Sequence, residues 1–200
     1  MAEDEAFKMT RQGAEEGDAE SQFYLAVARH MGESDLKDSE DAIKWYRRAA
    51  EQNHLQAQFN LAMMYFVGED VTQDLDETAK WLKRAAEQGE AASQNALAVL
   101  YFNGQGVEKN LDKAIKWWQR SAENGNSSAQ VSLGAMHYDG VGVEKDMVQA
   151  LMWHNLSVEN GSDDGKKNRD TLEKEATPEQ IAEAKLLAKE WMQKHSGREP

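Results

Sequence analysis

Two histidines come nearest to a reactive site in this sequence. His137 and His154 fall at inward positions on the two predicted helices of one repeat, where they would face each other, and Asp139 follows His137 closely. A metal site needs three or four ligands, and Asp139 projects away from the space between the helices. Two interpretations follow: the histidines fill space in the core, or they form a metal-binding or pH-sensing pair.

Tryptophans could also form a site, since an aromatic face can stack on a sugar or a base. The chain has six of them, and four recur at one inward helical position, namely Trp45, Trp81, Trp117 and Trp153. A regular inward position predicts that these four pack in the core.

Other catalytic patterns do not occur in the sequence. There is no cysteine, so disulfides and thiolate chemistry are excluded. No Gly-Lys-Ser/Thr loop is present to hold a phosphate, and no glutamate is spaced to pair with a base or a metal ligand. The sequence therefore predicts a protein without enzymatic activity, cofactor or metal.

The charge of the chain disfavours some classes of binding partner. The formal net charge is −13, from 36 acidic and 23 basic residues, which disfavours nucleic acid and anionic membranes. No run of 18 apolar residues occurs, so we expect no membrane insertion. The first ten residues lack the basic and apolar regions of a signal peptide. This predicts a cytoplasmic protein, or a periplasmic or secreted one if a leader has been removed.

The elements that position these residues repeat with a period of 36 residues. Such a period predicts a stacked array of antiparallel helix pairs with atypical units at its ends. We expect residues 1–18 to be an N-terminal half-repeat cap, 163–195 a C-terminal capping helix pair and 196–200 a frayed tail. The four full repeats are 19–54, 55–90, 91–126 and 127–162, marked by Gln22, Gln58, Gln94 and Gln130 and by Leu25, Leu61, Leu97 and Leu133.

Helix ends are marked within each repeat. A glycine that favours a left-handed turn closes the first helix, and a polar N-cap opens the second. The glycines are Gly32, Gly68, Gly104 and Gly140, and the N-caps are Asp38, Asp74, Asn110 and Asp146. Glu77 and Gln149, three residues after their caps, predict capping boxes, as does Thr177 with Gln180.

This pattern resembles the Sel1-like repeat family. The third repeat carries Leu97-Ala98-x-x-Tyr101, Gly104-x-Gly106-Val107 and Lys113-Ala114-x-x-Trp117. Tetratricopeptide repeats are related, but their period is 34 and their tryptophan lies in the first helix. The resemblance implies a right-handed α/α superhelix and a bacterial adaptor that assembles other proteins. Arg29 and His137 depart from it, since they replace the repeated tyrosine.

One stripe of the first helices varies from repeat to repeat, whereas the framework positions keep their residue type. First helices line the inside of an α/α superhelix, so we expect this variable stripe to be the floor of a concave groove that binds a peptide or protein segment. The alternative is an inner wall narrowed by packing. The variable stripe comprises Glu20, Tyr24, Val27, Met31, Gln56, Asn60, Met63, Val67, Ala92, Ala96, Val99, Asn103, Ser128, Ser132, Ala135 and Asp139. The candidate binding residues are Tyr24, Val27, Met31, Asn60, Met63, Val67, Val99 and Asn103.

A second candidate surface lies on the outer side of the fourth repeat. Val148 and Met152 stand where the other repeats place an acid and a lysine. Apolar side chains there need a cover. The cover is either the C-terminal unit or another molecule, and we expect a contact between molecules, such as a homodimer through the convex face of repeat 4.

Two functional hypotheses follow. The first is a non-enzymatic adaptor or scaffold that binds a peptide or protein segment in its groove. The alternative is a small-molecule or metal-binding protein, or a hydrolase-like enzyme, that uses a groove between helices near His137 and His154.

Overall fold

The computed structural model describes residues 5–32, 37–68 and 71–195. In these ranges the regular structure consists of eleven helices, and no strand occurs. The helices are α1 (Glu5–Glu16), α2 (Ala19–Met31), α3 (Ser39–Glu51), α4 (Leu55–Val67), α5 (Leu75–Glu87), α6 (Ala91–Asn103), α7 (Leu111–Glu123), α8 (Ser127–Asp139), α9 (Met147–Glu159), α10 (Asp163–Leu172) and α11 (Pro178–His195). The predicted fold class, an all-α array of helix pairs with a 36-residue period, is confirmed. The tail predicted at 196–200 lies outside the described residues.

The helices form two compact units. Unit 1 takes in the described residues up to Ser93 together with Gln105–Val107, and unit 2 takes in Gln94–Gly104 and the described residues from Glu108 onward. Each unit has its own apolar core. That of unit 1 is built around Leu25, Tyr46, Leu61, Trp81 and Leu82, and that of unit 2 around Leu97, Leu100, Leu133, Leu151 and Leu156.

The glutamine that repeats on each first helix ties neighbouring helices together. Gln58 is fully buried, and its Nε2 donates to the Ala50 carbonyl at 3.0 Å. Its Oε1 accepts from Gln88 Nε2 at 2.9 Å. In unit 2 the same pattern recurs at Gln130, which donates to a backbone carbonyl of α7 and accepts from Asn160. Both ends of each buried amide are thus satisfied, as burial requires.

The predicted helix ends are largely present. All four N-cap side chains accept from backbone N–H groups of the second helix. Gly68, Gly104 and Gly140 have φ between 67 and 74°, so they supply the left-handed closing turn. Gly32 does not, since its φ is −64°. The prediction of a left-handed turn is therefore wrong for the first repeat.

Two predicted capping boxes are also wrong. The Asp74 N–H, which Glu77 would have to bind, already donates to the Tyr65 carbonyl at 3.0 Å. Glu77 instead accepts from Trp81 Nε1 at 2.9 Å. The Asp146 N–H is likewise used by a carbonyl of α8. Only the box of Thr177 and Gln180 forms, with reciprocal bonds of 2.9 and 3.3 Å.

The repeated tryptophans are buried to different degrees. Trp81 and Trp153 are 1% and 8% exposed, as expected of core residues. Trp45 and Trp117 are only half-buried, and the Arg48 and Arg120 guanidinium carbons lie 4.5 and 4.8 Å from their ring centroids. These two rings are partly covered by arginine through a cation–π contact.

Candidate functional site

Exposed apolar side chains of unit 1 concentrate on the variable stripe. Tyr24 and Met31 on α2 are 55% and 78% exposed, and Val67 on α4 is 57% exposed. Tyr24 and Met31 lie two helical turns apart and share one side of α2. Met31 and Val67 occupy the same position of consecutive repeats, so we assign the three to one apolar face of unit 1.

The other candidate residues of unit 1 form the floor of this face. Val27, Asn60 and Met63 are half-buried. Asn60 Nδ2 donates to the hydroxyl of the fully buried Tyr46 at 3.3 Å. This bond holds the amide in place, so the floor is apolar apart from one oriented amide group.

A ring stack joins α2 to the start of α4 beside the face. The Phe23 and His54 rings lie 4.6 Å apart at 21°. His54 caps α4, since its Nδ1 accepts from the Ala57 N–H at 3.2 Å. Its Nε2 therefore carries the proton and donates to Glu20 at 3.1 Å. Glu20 also hydrogen-bonds the Tyr24 hydroxyl and raises the pKa of Tyr24, because a tyrosinate beside a carboxylate is disfavoured.

The stripe of unit 2 has a different character. Val99 packs against the apolar core cluster of this unit, and Asn103 is exposed. The other members of the stripe there are alanine, serine and aspartate. Over the described part of unit 2, therefore, no large exposed hydrophobic side chain lies on the stripe.

Burial disfavours the charged form of both histidines. His154 is 2% exposed, and burial lowers its pKa to about 4. Burial also lowers the pKa of His137, although a hydrogen bond to the Glu144 backbone and the charge of Asp146 act in the opposite direction. Among the described residues, no group of three His, Cys, Asp or Glu side chains could hold a metal ion.

Gly134 makes room for the His154 ring. A methyl group at Gly134 would lie 2.7 Å from His154 Cε1 and 2.8 Å from Nε2. The earlier repeats have alanine at this position and a tyrosine, leucine or tryptophan opposite it. The glycine and the histidine therefore fit each other as a pair.

The prediction of an exposed outer surface at Val148 and Met152 is wrong. Met152 is only 6% exposed in the chain by itself, and Val148 is half-buried. Both belong to the apolar cluster of unit 2 that also includes Leu187 and Trp191 of α11. The Trp191 and Trp153 rings pack edge to face, with their planes at 67° and their centroids 5.9 Å apart. The C-terminal helices supply the cover, so the expected homodimer contact loses its physical basis.

Sequence reasoning missed a cavity in unit 2 between α8, α9 and α10. Its volume is about 310 Å³, and it is lined by Ala135, Tyr138, Asp139, His154, Asn168, Thr171 and Leu172. Three of the seven lining residues come from α10, where the 36-residue pattern weakens and polar residues replace the expected core residues. That loss of pattern was the one available signal that the helix borders a space.

None of the helices in the described ranges combines the length and hydrophobicity that a membrane span requires.

Known proteins match the chain over its repeats. The Sel1 repeat model matches residues 19–54, 55–90, 91–126 and 127–162. No curated protein matches significantly.

Solved structures match over nearly the whole chain. A protective antigen of uropathogenic Escherichia coli with an SLR fold is 36% identical, with a TM-score of 0.86 over 95% of this chain. The match spans 41% of the antigen, so this chain corresponds to less than half of its length. A Sel1 repeat protein from Oxalobacter formigenes is 29% identical, with a TM-score of 0.78 over 98% of this chain and 79% of the relative. An immunity protein from Pseudomonas aeruginosa, Pa5087, is 19% identical, with a TM-score of 0.51 over 95% of this chain and 72% of its own. It shares the fold alone.

Proposed function

The chain belongs to the Sel1 repeat family, and we propose that it is a non-enzymatic protein-interaction module that binds a polypeptide segment of a partner on the apolar face of unit 1. The family typically supplies protein-interaction scaffolds. The binding face would consist of Tyr24, Val27, Met31, Asn60, Met63 and Val67.

The observation that carries the proposal is the position of the exposed apolar side chains. Single exposed hydrophobic residues are normal on a protein surface, whereas grouped ones indicate binding. Three of the six large hydrophobic residues exposed in the described ranges are Tyr24, Met31 and Val67, all on the variable stripe. Fully burying one such side chain is worth about 1.5–3 kcal/mol.

The chemistry of the face indicates what the partner segment should carry. Methionine adapts its shape to different apolar side chains, and Tyr24 adds a rigid aromatic ring of the kind that dominates interface energies. Glu20 places a carboxylate at the edge of the face, and no lysine or arginine belongs to the stripe of unit 1. The matching segment is therefore apolar, with a basic residue at one end.

The test compares partner capture by three forms of the full chain. One is the wild type, and the second combines Tyr24→Ala with Met31→Glu, both at exposed positions, so that folding is retained. The matched control makes the same kinds of change at exposed hydrophobic residues off the face, Leu186→Ala with Met9→Glu. Circular dichroism and melting temperature establish that all three are folded.

Loss of the captured partner in the face variant alone supports the proposal. We expect at least about tenfold weaker binding, since loss of a central aromatic residue typically costs more than 1–2 kcal/mol. Undiminished capture by the folded face variant would show that the partner binds elsewhere.

A further inference from the structure

Met31 is the most exposed methionine in the described part of the chain. It is 78% exposed, and Met9 on α1 is 69% exposed. Met64, Met136 and Met152, in contrast, are only 5–6% exposed. The thioether groups of Met31 and Met9 therefore lie in solvent, where a small reagent reaches them, whereas those of the other three are enclosed in the apolar cores.

Methionine is also the only sulfur-containing residue of this protein. The sequence has no cysteine, so a peroxide finds no thiolate to oxidise first. A thioether is oxidised to a sulfoxide, which is polar, and methionine sulfoxide reductases reverse the reaction. The exposed thioethers are therefore the groups of this chain that a peroxide oxidises first, and the change can be undone.

We propose that Met31 is an oxidative modification site, and that its conversion to the sulfoxide releases the bound polypeptide segment. This rests on the proposed function, because Met31 belongs to the apolar face of unit 1. In the reaction, hydrogen peroxide transfers one oxygen atom to Met31 Sδ. An S–O bond forms, the O–O bond breaks, and the second oxygen leaves as water. The sulfur loses two electrons, which the peroxide gains.

The sulfoxide changes the property on which binding to this face depends. Covering an apolar side chain is favourable, whereas burying a polar group without a hydrogen-bond partner is costly. The repeats provide a comparison, since the position of Met31 holds Val67 in the second repeat and Asn103 and Asp139 in the third and fourth. The stripe is polar at that position in unit 2, and among the described residues there it exposes no large hydrophobic side chain. Oxidation gives Met31 the same polar character.

Oxidation of Met31 leaves the fold intact because its side chain takes little part in packing. Met31 is the last residue of α2 and is 78% exposed. A sulfoxide at Met64, Met136 or Met152 would instead place a polar group in an apolar core, but burial makes these residues slow to react. Brief treatment with peroxide therefore separates a loss of binding from a loss of structure.

The first measurement is the oxidation rate of each methionine in the full chain. The protein is treated with hydrogen peroxide for increasing times, quenched with catalase, digested and mapped by mass spectrometry. We expect Met31 and Met9 to gain oxygen at least about tenfold faster than Met64, Met136 and Met152. An oxidation rate at Met31 no faster than at these buried residues would overturn the proposal.

The second measurement is capture of the partner by the wild type, Met31→Leu and Met9→Leu, each before and after oxidation. Leucine has a similar volume and cannot be oxidised. Treatment stops when mapping finds Met31 of the wild type oxidised and Met63, the half-buried methionine of the face, still reduced. The peroxide is removed before the lysate is added, and circular dichroism establishes that every sample is folded.

Each form is compared with its own untreated sample, so a direct effect of leucine on binding cancels. We expect oxidation to weaken capture at least about tenfold, or about 1.4 kcal/mol, in the wild type and in Met9→Leu. In Met31→Leu it should weaken capture less than about twofold. Methionine sulfoxide reductase with dithiothreitol, which becomes a disulfide as the oxygen leaves as water, should restore capture by the oxidised wild type.

The contradicting results separate this inference from the proposed function. An equal loss in Met31→Leu and the wild type, or no recovery once mapping shows Met31 reduced, would overturn the oxidation site. Undiminished capture by the oxidised wild type, together with loss of capture on combining Tyr24→Ala with Met31→Glu, would overturn the oxidation site alone. Undiminished capture in both cases would refute the binding face and this inference with it.

Discussion

Replacement of Gly134 by alanine tests the packing around His154. The added methyl would lie 2.7, 2.8 and 3.0 Å from three atoms of the His154 ring, whereas carbon atoms pack best at about 3.5–4.0 Å. His154 is 2% exposed, and the overlap forces its ring to tilt away from Gly134, towards the cavity that it lines. Overpacking of this kind costs about 1–3 kcal/mol.

The same substitution has an opposing benefit. Alanine in a helix interior is more favourable than glycine by about 0.5–1 kcal/mol. In the wild-type background the clash outweighs this gain, so Gly134→Ala should lower the free energy of unfolding by about 1 kcal/mol. In a His154→Ala background the clash is absent, and Gly134→Ala should raise stability by about 0.5–1 kcal/mol.

The assay is urea unfolding of the wild type, both single variants and the double variant, followed by circular dichroism and by tryptophan fluorescence. The two probes establish whether the helical repeats unfold together. We expect the effect of Gly134→Ala to change sign between the two backgrounds, with a coupling of about 2 kcal/mol. Additive effects would refute the contact between Gly134 and the ring.

Three further predictions concern stability. Because burial lowers the pKa of His154 from 6.5 to about 4, the unfolded chain binds this proton more tightly, and stability is lost as pH falls from 6.5 towards 4. Compared with His154→Leu, the wild type should lose up to roughly 3 kcal/mol more across that window in urea titrations, and parallel pH profiles would contradict this. Met152→Ala should lower the free energy of unfolding by about 2–4 kcal/mol and leave the molecular mass measured by sedimentation unchanged. If stability were unchanged and a dimer were lost instead, Met152 would belong to a contact between molecules. Gln58→Leu removes two hydrogen bonds, from Gln58 Nε2 to the Ala50 carbonyl and from Gln88 Nε2 to Gln58 Oε1, and should lower the free energy of unfolding by about 1–3 kcal/mol. Gln88→Leu, at an exposed position, should lower the free energy of unfolding by less, because it leaves the bond from Gln58 to the Ala50 carbonyl in place. Equal losses in the two variants would argue against a contribution from that buried bond.

Repetition explains why so much of the fold is predictable. A residue type that recurs at a fixed position, such as Gln58, has the same neighbours in each repeat, so its environment can be deduced from the pattern. The N-caps are equally predictable, since the side chains of Asp74 and its counterparts accept from backbone N–H groups of the helix that they begin. These are local interactions, which short stretches of sequence determine.

The errors arise where contacts between segments decide the outcome. Glu77 has the spacing of a capping box, but the Tyr65 carbonyl of the preceding helix takes the N–H it would need. Met152 occupies an outward position by phase, yet it belongs to an apolar cluster shared with α11, which is out of register with the repeats. The cavity beside His154 depends in turn on Asn168 and Thr171 of α10, where the period no longer guides the assignment.

Binding on the apolar face of unit 1 can be tested most directly by site-specific photo-crosslinking in lysate. A photoreactive phenylalanine analogue is placed at Met31, which is 78% exposed on the face. The control carries it at Lys83, an exposed position on α5 outside the variable stripe. We predict a discrete polypeptide adduct from position 31 that is lost when Tyr24→Ala is added, and no such adduct from position 83. An adduct of the same mass and yield from both positions, or one that Tyr24→Ala leaves unchanged, would contradict binding at this face.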